Sequence, residues 1–163
     1  MKKVVVLFCI LMIGCYKEQP VSFSEAANLE MLIGLDNSKI TLREVLLKHK
    51  GKKILIDVWA SWCKDCIVGF PDLAALQNEF PDVAYVFLST DFSKPSWKRA
   101  IQKYQLRGEH YNLPKGMNDG DFIDFINLSW IPTYMVINED GTIAVFNETD
   151  CSAKEIRNAL EKN

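Results

Sequence analysis

The sequence predicts an α/β fold in which a central mixed β-sheet is flanked by helices on both faces. Short runs rich in β-branched and aromatic residues alternate with segments of helical composition, and the chain closes with a hairpin and a last helix. Its 163 residues suffice for one domain with a real core and not for two. Hydrophobic residues make up 48% and charged residues 25%, the balance of a globular protein that buries a core. A formal net charge of −2 with no basic block argues against nucleic acid as a partner.

Taken in order, the domain is expected over residues 29–163. Leu29 to Leu35 suits an early strand, followed by an Asp36-Asn37-Ser38 turn signal. Thr41-Leu42-Arg43-Glu44 has the form of a capping box, and Leu42, Val45 and Leu46 supply the apolar stripe of a short helix. Lys48-His49-Lys50-Gly51 ends that helix with positive charge and a glycine. Ile54 to Trp59 is a buried strand, and a helix runs from near Cys63 to about Glu79, bent at Pro71. Val83 to Ser89 is a second buried strand, and Pro95 falls in the first turn of a helix reaching Tyr104. Arg107 to Gly120, polar and rich in turn residues, reads as a loop before a short helix over residues 121–127. Thr133 to Ile137 and Thr142 to Phe146 flank Asn138-Glu139-Asp140-Gly141 as a hairpin. Ser152 with Glu155 is expected to cap the last helix.

The chemistry concentrates at Trp59-Ala60-Ser61-Trp62-Cys63-Lys64-Asp65-Cys66, where a strand hands over to a helix. A cysteine in the first helical turn has its sulfur near unpaired N–H groups and the positive end of the dipole. That setting favours thiolate over thiol. The i, i+3 spacing brings the second sulfur within bonding reach, as a reversible dithiol/disulfide requires. Two other readings compete. A zinc half-site needs two more ligands, and Cys151, His49 and His110 lack cluster spacing. A purely structural disulfide would close too small a loop to remove much unfolded-chain entropy. The redox reading is the strongest of the three.

At these residues the chain resembles the thioredoxin superfamily, in particular the membrane-tethered TlpA/ResA-type thiol–disulfide oxidoreductases. The likeness runs from about Met31 to Ala159. It rests on Asp57-Val58-Trp59-Ala60-Ser61-Trp62-Cys63, on Pro71 five residues after Cys66, on Trp130-Ile131-Pro132-Thr133 and on Asn138-Glu139-Asp140-Gly141. Lys64-Asp65 departs from the Gly-Pro of thioredoxin itself. Lys64 lowers and Asp65 raises the Cys63 pKa, so the pair does not by itself make a strongly oxidising couple.

The resemblance implies a thioredoxin-like fold and roles for particular residues. Cys63 is the expected nucleophile and Cys66 the resolving thiol, with no cofactor beyond their disulfide. Asp57, a carboxylate in the middle of an apolar strand, must be neutral or paired if buried. The resemblance makes it the proton acceptor that helps deprotonate Cys66, a role suited by a raised pKa. Trp62, Ile131 and Pro132 are the expected substrate-binding residues, with Pro132 in a cis peptide bond beside the disulfide.

The N-terminus reads differently. Met1-Lys2-Lys3 precedes ten apolar residues, Val4 to Ile13. As a helix these span about 15 Å against a hydrocarbon core of about 30 Å, which suits a signal peptide and not a membrane span. Leu11-Met12-Ile13-Gly14-Cys15 resembles a bacterial lipobox, implying removal of residues 1–14 and lipidation of Cys15. Losing Lys2 and Lys3 takes the formal charge from −2 to −4. Residues 15–28 then read as a tether. Of the five cysteines, Cys151 is left over as a small buried hydrophobe. The expectation is a monomeric, lipid-anchored enzyme of the bacterial cell envelope, facing the periplasm or exterior. It would act on protein thiols and disulfides and exchange electrons with a membrane donor or acceptor. A dithiol oxidase or isomerase, and a non-catalytic binding lipoprotein, are the alternatives.

Overall fold

The computed structural model describes residues 19–161. The strands are β1 (Met31–Gly34), β2 (Lys39–Thr41), β3 (Ile54–Trp59), β4 (Ala84–Ser89), β5 (Glu109–Asn112), β6 (Thr133–Ile137) and β7 (Ile143–Glu148). The helices are α1 (Glu25–Asn28), α2 (Leu42–Lys48), α3 (Lys64–Glu79), α4 (Lys94–Tyr104), α5 (Asp121–Ile126) and α6 (Lys154–Glu161). Together the strands form one sheet in the order β2-β1-β5-β4-β3-β6-β7. β3, β4 and β5 run parallel and the remaining pairings are antiparallel, so the sheet is mixed.

Every residue of β3 is buried, as expected of a central strand covered on both faces. Each fully buried Ile, Leu or Val side chain there contributes roughly 1.5–3 kcal/mol. Alternation divides the strand's side chains between two layers. On the layer that carries Trp59, its ring meets Phe70 of α3 edge-on at 5.6 Å and Phe87 of β4 at 6.5 Å. Phe70 in turn lies 5.3 Å from the Tyr104 ring of α4. Phe23 joins α1 to α5 through Phe122 at 6.1 Å and Phe125 at 5.4 Å.

Local chemistry explains the helix boundaries. The capping box forms: Thr41 N donates to Glu44 Oε2 at 2.8 Å, and Glu44 N donates to Thr41 Oγ1 at 3.3 Å. Pro95 sits in the first turn of α4, where Ser93 is the N-cap. Gly120 begins α5 with φ 122°, and a Cβ there would lie 2.8 Å from a Glu30 carboxylate oxygen. That close approach lets the buried Glu30 accept from Phe122 N at 3.1 Å.

Four features differ from the sequence reading. The first is β5, inside the segment read as a loop. Its residues are polar, but His110 stacks on Phe87 at 4.7 Å, and Asn112 Nδ2 donates to the Ser89 and Asp91 carbonyls at 3.1 and 2.8 Å. The second is the short edge strand β2, which pairs with β1 after the turn. The third is the last helix: Ser152 Oγ donates to Asp150 Oδ1 at 2.7 Å and does not cap it, and α6 begins at Lys154. The fourth is the tether. Phe23 and Ala27 are buried, Ser24 Oγ caps α1 by accepting from Ala27 N at 3.1 Å, and Ile143 N donates to the Val21 carbonyl at 2.9 Å. Residues 21–28 therefore pack on the domain. The signal segment, residues 1–14, and Cys15 lie outside the described residues.

Candidate active site

The site forms where β3 ends. Thr90 N donates to the Trp59 carbonyl at 2.9 Å, extending the parallel pairing one residue beyond the strand. Asp91, buried at 3% exposure, then anchors the loop. Its carboxylate accepts from Ser61 N at 2.8 Å, Ser61 Oγ at 2.6 Å and Ser89 Oγ at 2.8 Å. The turn that delivers the cysteines is thus tied to the loop after β4.

Cys63 is the N-cap of α3, and its Sγ accepts from Cys66 N at 3.0 Å. A thiolate at that point has a backbone N–H in hand and a 16-residue helix dipole directed at it. Cys63 and Cys66 are joined in a disulfide. Cys66 is fully enclosed, whereas Cys63 retains 5% exposure, so Cys63 is the sulfur a partner reaches. Its Sγ lies 3.4 Å from the Ile131 carbonyl oxygen, to which the reduced thiol has a proton to donate. The Ile131–Pro132 peptide bond is cis, and Thr133 Oγ1 donates to the Trp130 carbonyl at 2.8 Å, holding this loop beside the disulfide.

Around the sulfur lies an open groove of about 310 Å³, lined by Trp62, Cys63, Met117, Trp130 and Ile131 with Lys64 and Asp65 at its rim. Trp62 is 60% exposed and Trp130 58%, unusual for side chains of that size. A largely apolar groove beside a nucleophile suits an extended apolar segment of another protein.

Asp57 is 1% exposed, and burial pushes its carboxyl up to about 8. Neither of its oxygens has a hydrogen-bond partner among the described residues. Alternation along β3 places it on the same face as Trp59, the face that α3 covers. Of the expected site residues, Trp62, Cys63 and Ile131 line the groove, Cys66 is enclosed behind it in the bond to Cys63, and Pro132 follows Ile131 through the cis peptide bond. Asp57 sits beneath the helix. The two histidines stand elsewhere: His49 pairs with Glu109 at 3.3 Å, and His110 is stacked in the core. Sequence reasoning missed Asp91 and Met117. Ser89-Thr90-Asp91 at a strand end was the available signal for the first; nothing local marks the second.

A helix-capping cysteine, a buried partner one turn on and a cis-proline loop beside them define a thiol–disulfide oxidoreductase. Residues 51–143 match the family model described as Thioredoxin-like, and the chain belongs to that family. It is 31% identical over 116 residues to the thioredoxin-like protein YneN of Bacillus subtilis, an alignment covering 69% of this chain and 65% of that one, just under two thirds. The thiol-disulfide oxidoreductase ResA of Bacillus thuringiensis is 23% identical over 148 residues, 90% of this chain and 81% of its own length. A solution structure of a candidate thiol-disulfide oxidoreductase from Bacteroides vulgatus superposes with a TM-score of 0.68 at 28% identity, covering 85% of this chain and 88% of that one.

Proposed function

We propose that the protein is a lipid-anchored reductant of the cell envelope, transferring two electrons from the Cys63–Cys66 dithiol to disulfides in exported proteins. The observation that carries this reading is Cys63 at the head of α3, opening onto an aromatic groove beside Ile131. The Cys63 thiolate attacks one sulfur of a partner disulfide, forming a mixed disulfide and releasing the partner's other sulfur as thiolate. Cys66, giving its proton to Asp57, attacks Cys63 Sγ. That step breaks the mixed disulfide, closes the Cys63–Cys66 bond and releases the partner's second sulfur as thiolate, which takes a proton from solvent. The partner is reduced by two electrons and the couple is oxidised by two, so a membrane donor must restore the dithiol. The kinship with ResA, a thiol-disulfide oxidoreductase by name, supports dithiol exchange chemistry, and cytochrome c maturation is one such setting. The lipobox-like Leu11 to Cys15 supports the anchor. Among the described residues no helix is long and apolar enough to cross a membrane.

The reduction potential tests the direction. Measured by Trp62 fluorescence in glutathione and dithiothreitol buffers on the chain lacking residues 1–15, it is expected at about −250 mV or lower, near thioredoxin's about −270 mV. A value near about −120 mV, that of a strong oxidant, would instead make the protein a disulfide donor. Cys66→Ser is expected to trap mixed disulfides with envelope proteins. No trapped partner would favour a non-catalytic binding module.

A further inference from the structure

Asp57 is not the only unpartnered polar group under α3. It is the register partner of Tyr134 across the antiparallel pair β3–β6, so both side chains emerge on one face of the sheet. Each residue is 1% exposed, and the Tyr134 hydroxyl, like the Asp57 carboxyl, has no hydrogen-bond partner among the described residues. Packing alone does not explain two uncompensated polar groups side by side in an apolar layer.

Tyr134 reaches beneath the second turn of the active-site helix. A Cβ on Gly69 would stand 3.5 Å from its hydroxyl oxygen, and the Cys151 sulfur lies 3.9 Å from the Gly69 carbonyl oxygen. The Tyr134 hydroxyl and the Cys151 sulfur therefore approach the same turn of α3. Asp57, Tyr134 and Cys151 thus share one closed compartment, one helical turn along α3 from Cys66.

We infer that Tyr134 is a positioning residue for the Asp57 proton: its hydroxyl is the dipole that stabilises the Asp57 carboxylate inside this compartment. The inference rests on the role given to Asp57 above. The indole N–H of Trp59, two residues along β3, is another unpartnered donor on this face among the described residues, and none of the titratable groups facing the compartment supplies such help. Cys151 is held as a neutral thiol, its pKa pushed up to about 11 chiefly by burial. The carboxylates Asp150, before α6, and Asp72, on α3, act on that thiol with negative charge and oppose another anion. His110 shares the cross-sheet row beyond Phe87 and is pushed towards neutrality by burial. Cys66 is the proton's source. The step moves one proton, from the Cys66 thiol to Asp57, and changes no bond of Tyr134.

The test follows the resolution step in the full-length protein carrying Cys9→Ser and Cys15→Ser. A thionitrobenzoate is attached to Cys63, and its release by Cys66 is timed by stopped flow across the range from about pH 5 to about pH 10. The wild-type rate is expected to rise with Asp57 ionisation. In Tyr134→Phe the rise moves to higher pH, making resolution roughly three- to tenfold slower at neutral pH and unchanged at the alkaline limit. In an Asp57→Asn background, Tyr134→Phe is expected to leave the profile as it is, which a loss of packing would not do. Fluorotyrosine at position 134, a stronger donor of nearly the same shape, is expected to move the rise to lower pH, and it tests the proposal even where Tyr134→Phe folds poorly. A Tyr134→Phe or fluorotyrosine profile superimposed on the wild type overturns the inference while an Asp57→Asn effect leaves the Asp57 role standing. An Asp57→Asn profile identical to the wild type overturns both.

Discussion

Two buried carboxylates near the cysteines behave in opposite ways because of what surrounds them. Asp91 accepts three hydrogen bonds and stays a structural pin, whereas Asp57 accepts none and holds its proton. Removing Asp91 leaves Ser61 N and two hydroxyls without their acceptor. Asp91→Ala is therefore expected to destabilise the fold by about 3 kcal/mol, read from urea unfolding, and to speed alkylation of the reduced Cys63 as its loop loosens. Unchanged alkylation would mean the loop is held by the backbone alone. At this scale the sequence was legible wherever a residue type clashed with its neighbours. A carboxylate in Ile54 to Trp59 and two cysteines three apart stand out unaided. Asp91 did not, because an aspartate after a strand looks like any loop residue. Tyr134 did not either, since an aromatic in a strand reads as core.

α3 does most of the electrostatic work at the site. Its first turn carries the cysteines together with Lys64 and Asp65, both at the solvent-facing rim. Lys64→Glu replaces the only cation in that turn by an anion next to the nucleophile. The Cys63 pKa is expected to rise, and reaction with iodoacetamide at neutral pH to slow a few-fold, less so in high salt. A salt-independent rate would show that the helix and the Cys66 N–H dominate. Elements announced by pattern were recovered from sequence, among them β3, α3, β4 and the β6–β7 hairpin. β5 was hidden because its burial depends on partners far along the chain. Phe87 and Ser89 make Glu109–Asn112 a strand, and no window of sequence contains both ends of that contact.

The proton held by Asp57 affects the whole molecule's stability. The unfolded carboxyl ionises near about 3.9, whereas the folded one holds its proton up to about 8. Between those values the native state binds more protons than the unfolded state, so this residue makes stability fall as pH rises and stops doing so above the folded pKa. Asp57→Asn is expected to stabilise the protein by a few kcal/mol at about pH 8 and to change little at about pH 4, measured as unfolding midpoints at the two pH values. Equal effects at both pH values would place the Asp57 contribution in packing and not in charge. The site thus works against the fold that holds it, as a functional residue in a buried strand often does.

The N-terminal segment bears on geography. Because the chain is already bonded to the sheet at Val21, only six residue steps separate that point from Cys15. Fully extended, they span at most about 20 Å. Were the whole of residues 15–28 free, the leash would be more than twice as long. A lipid on Cys15 would therefore keep the domain within roughly its own radius of the bilayer, skimming the surface. Electron donors set in that membrane would be near neighbours, and partners that never approach it would be out of range.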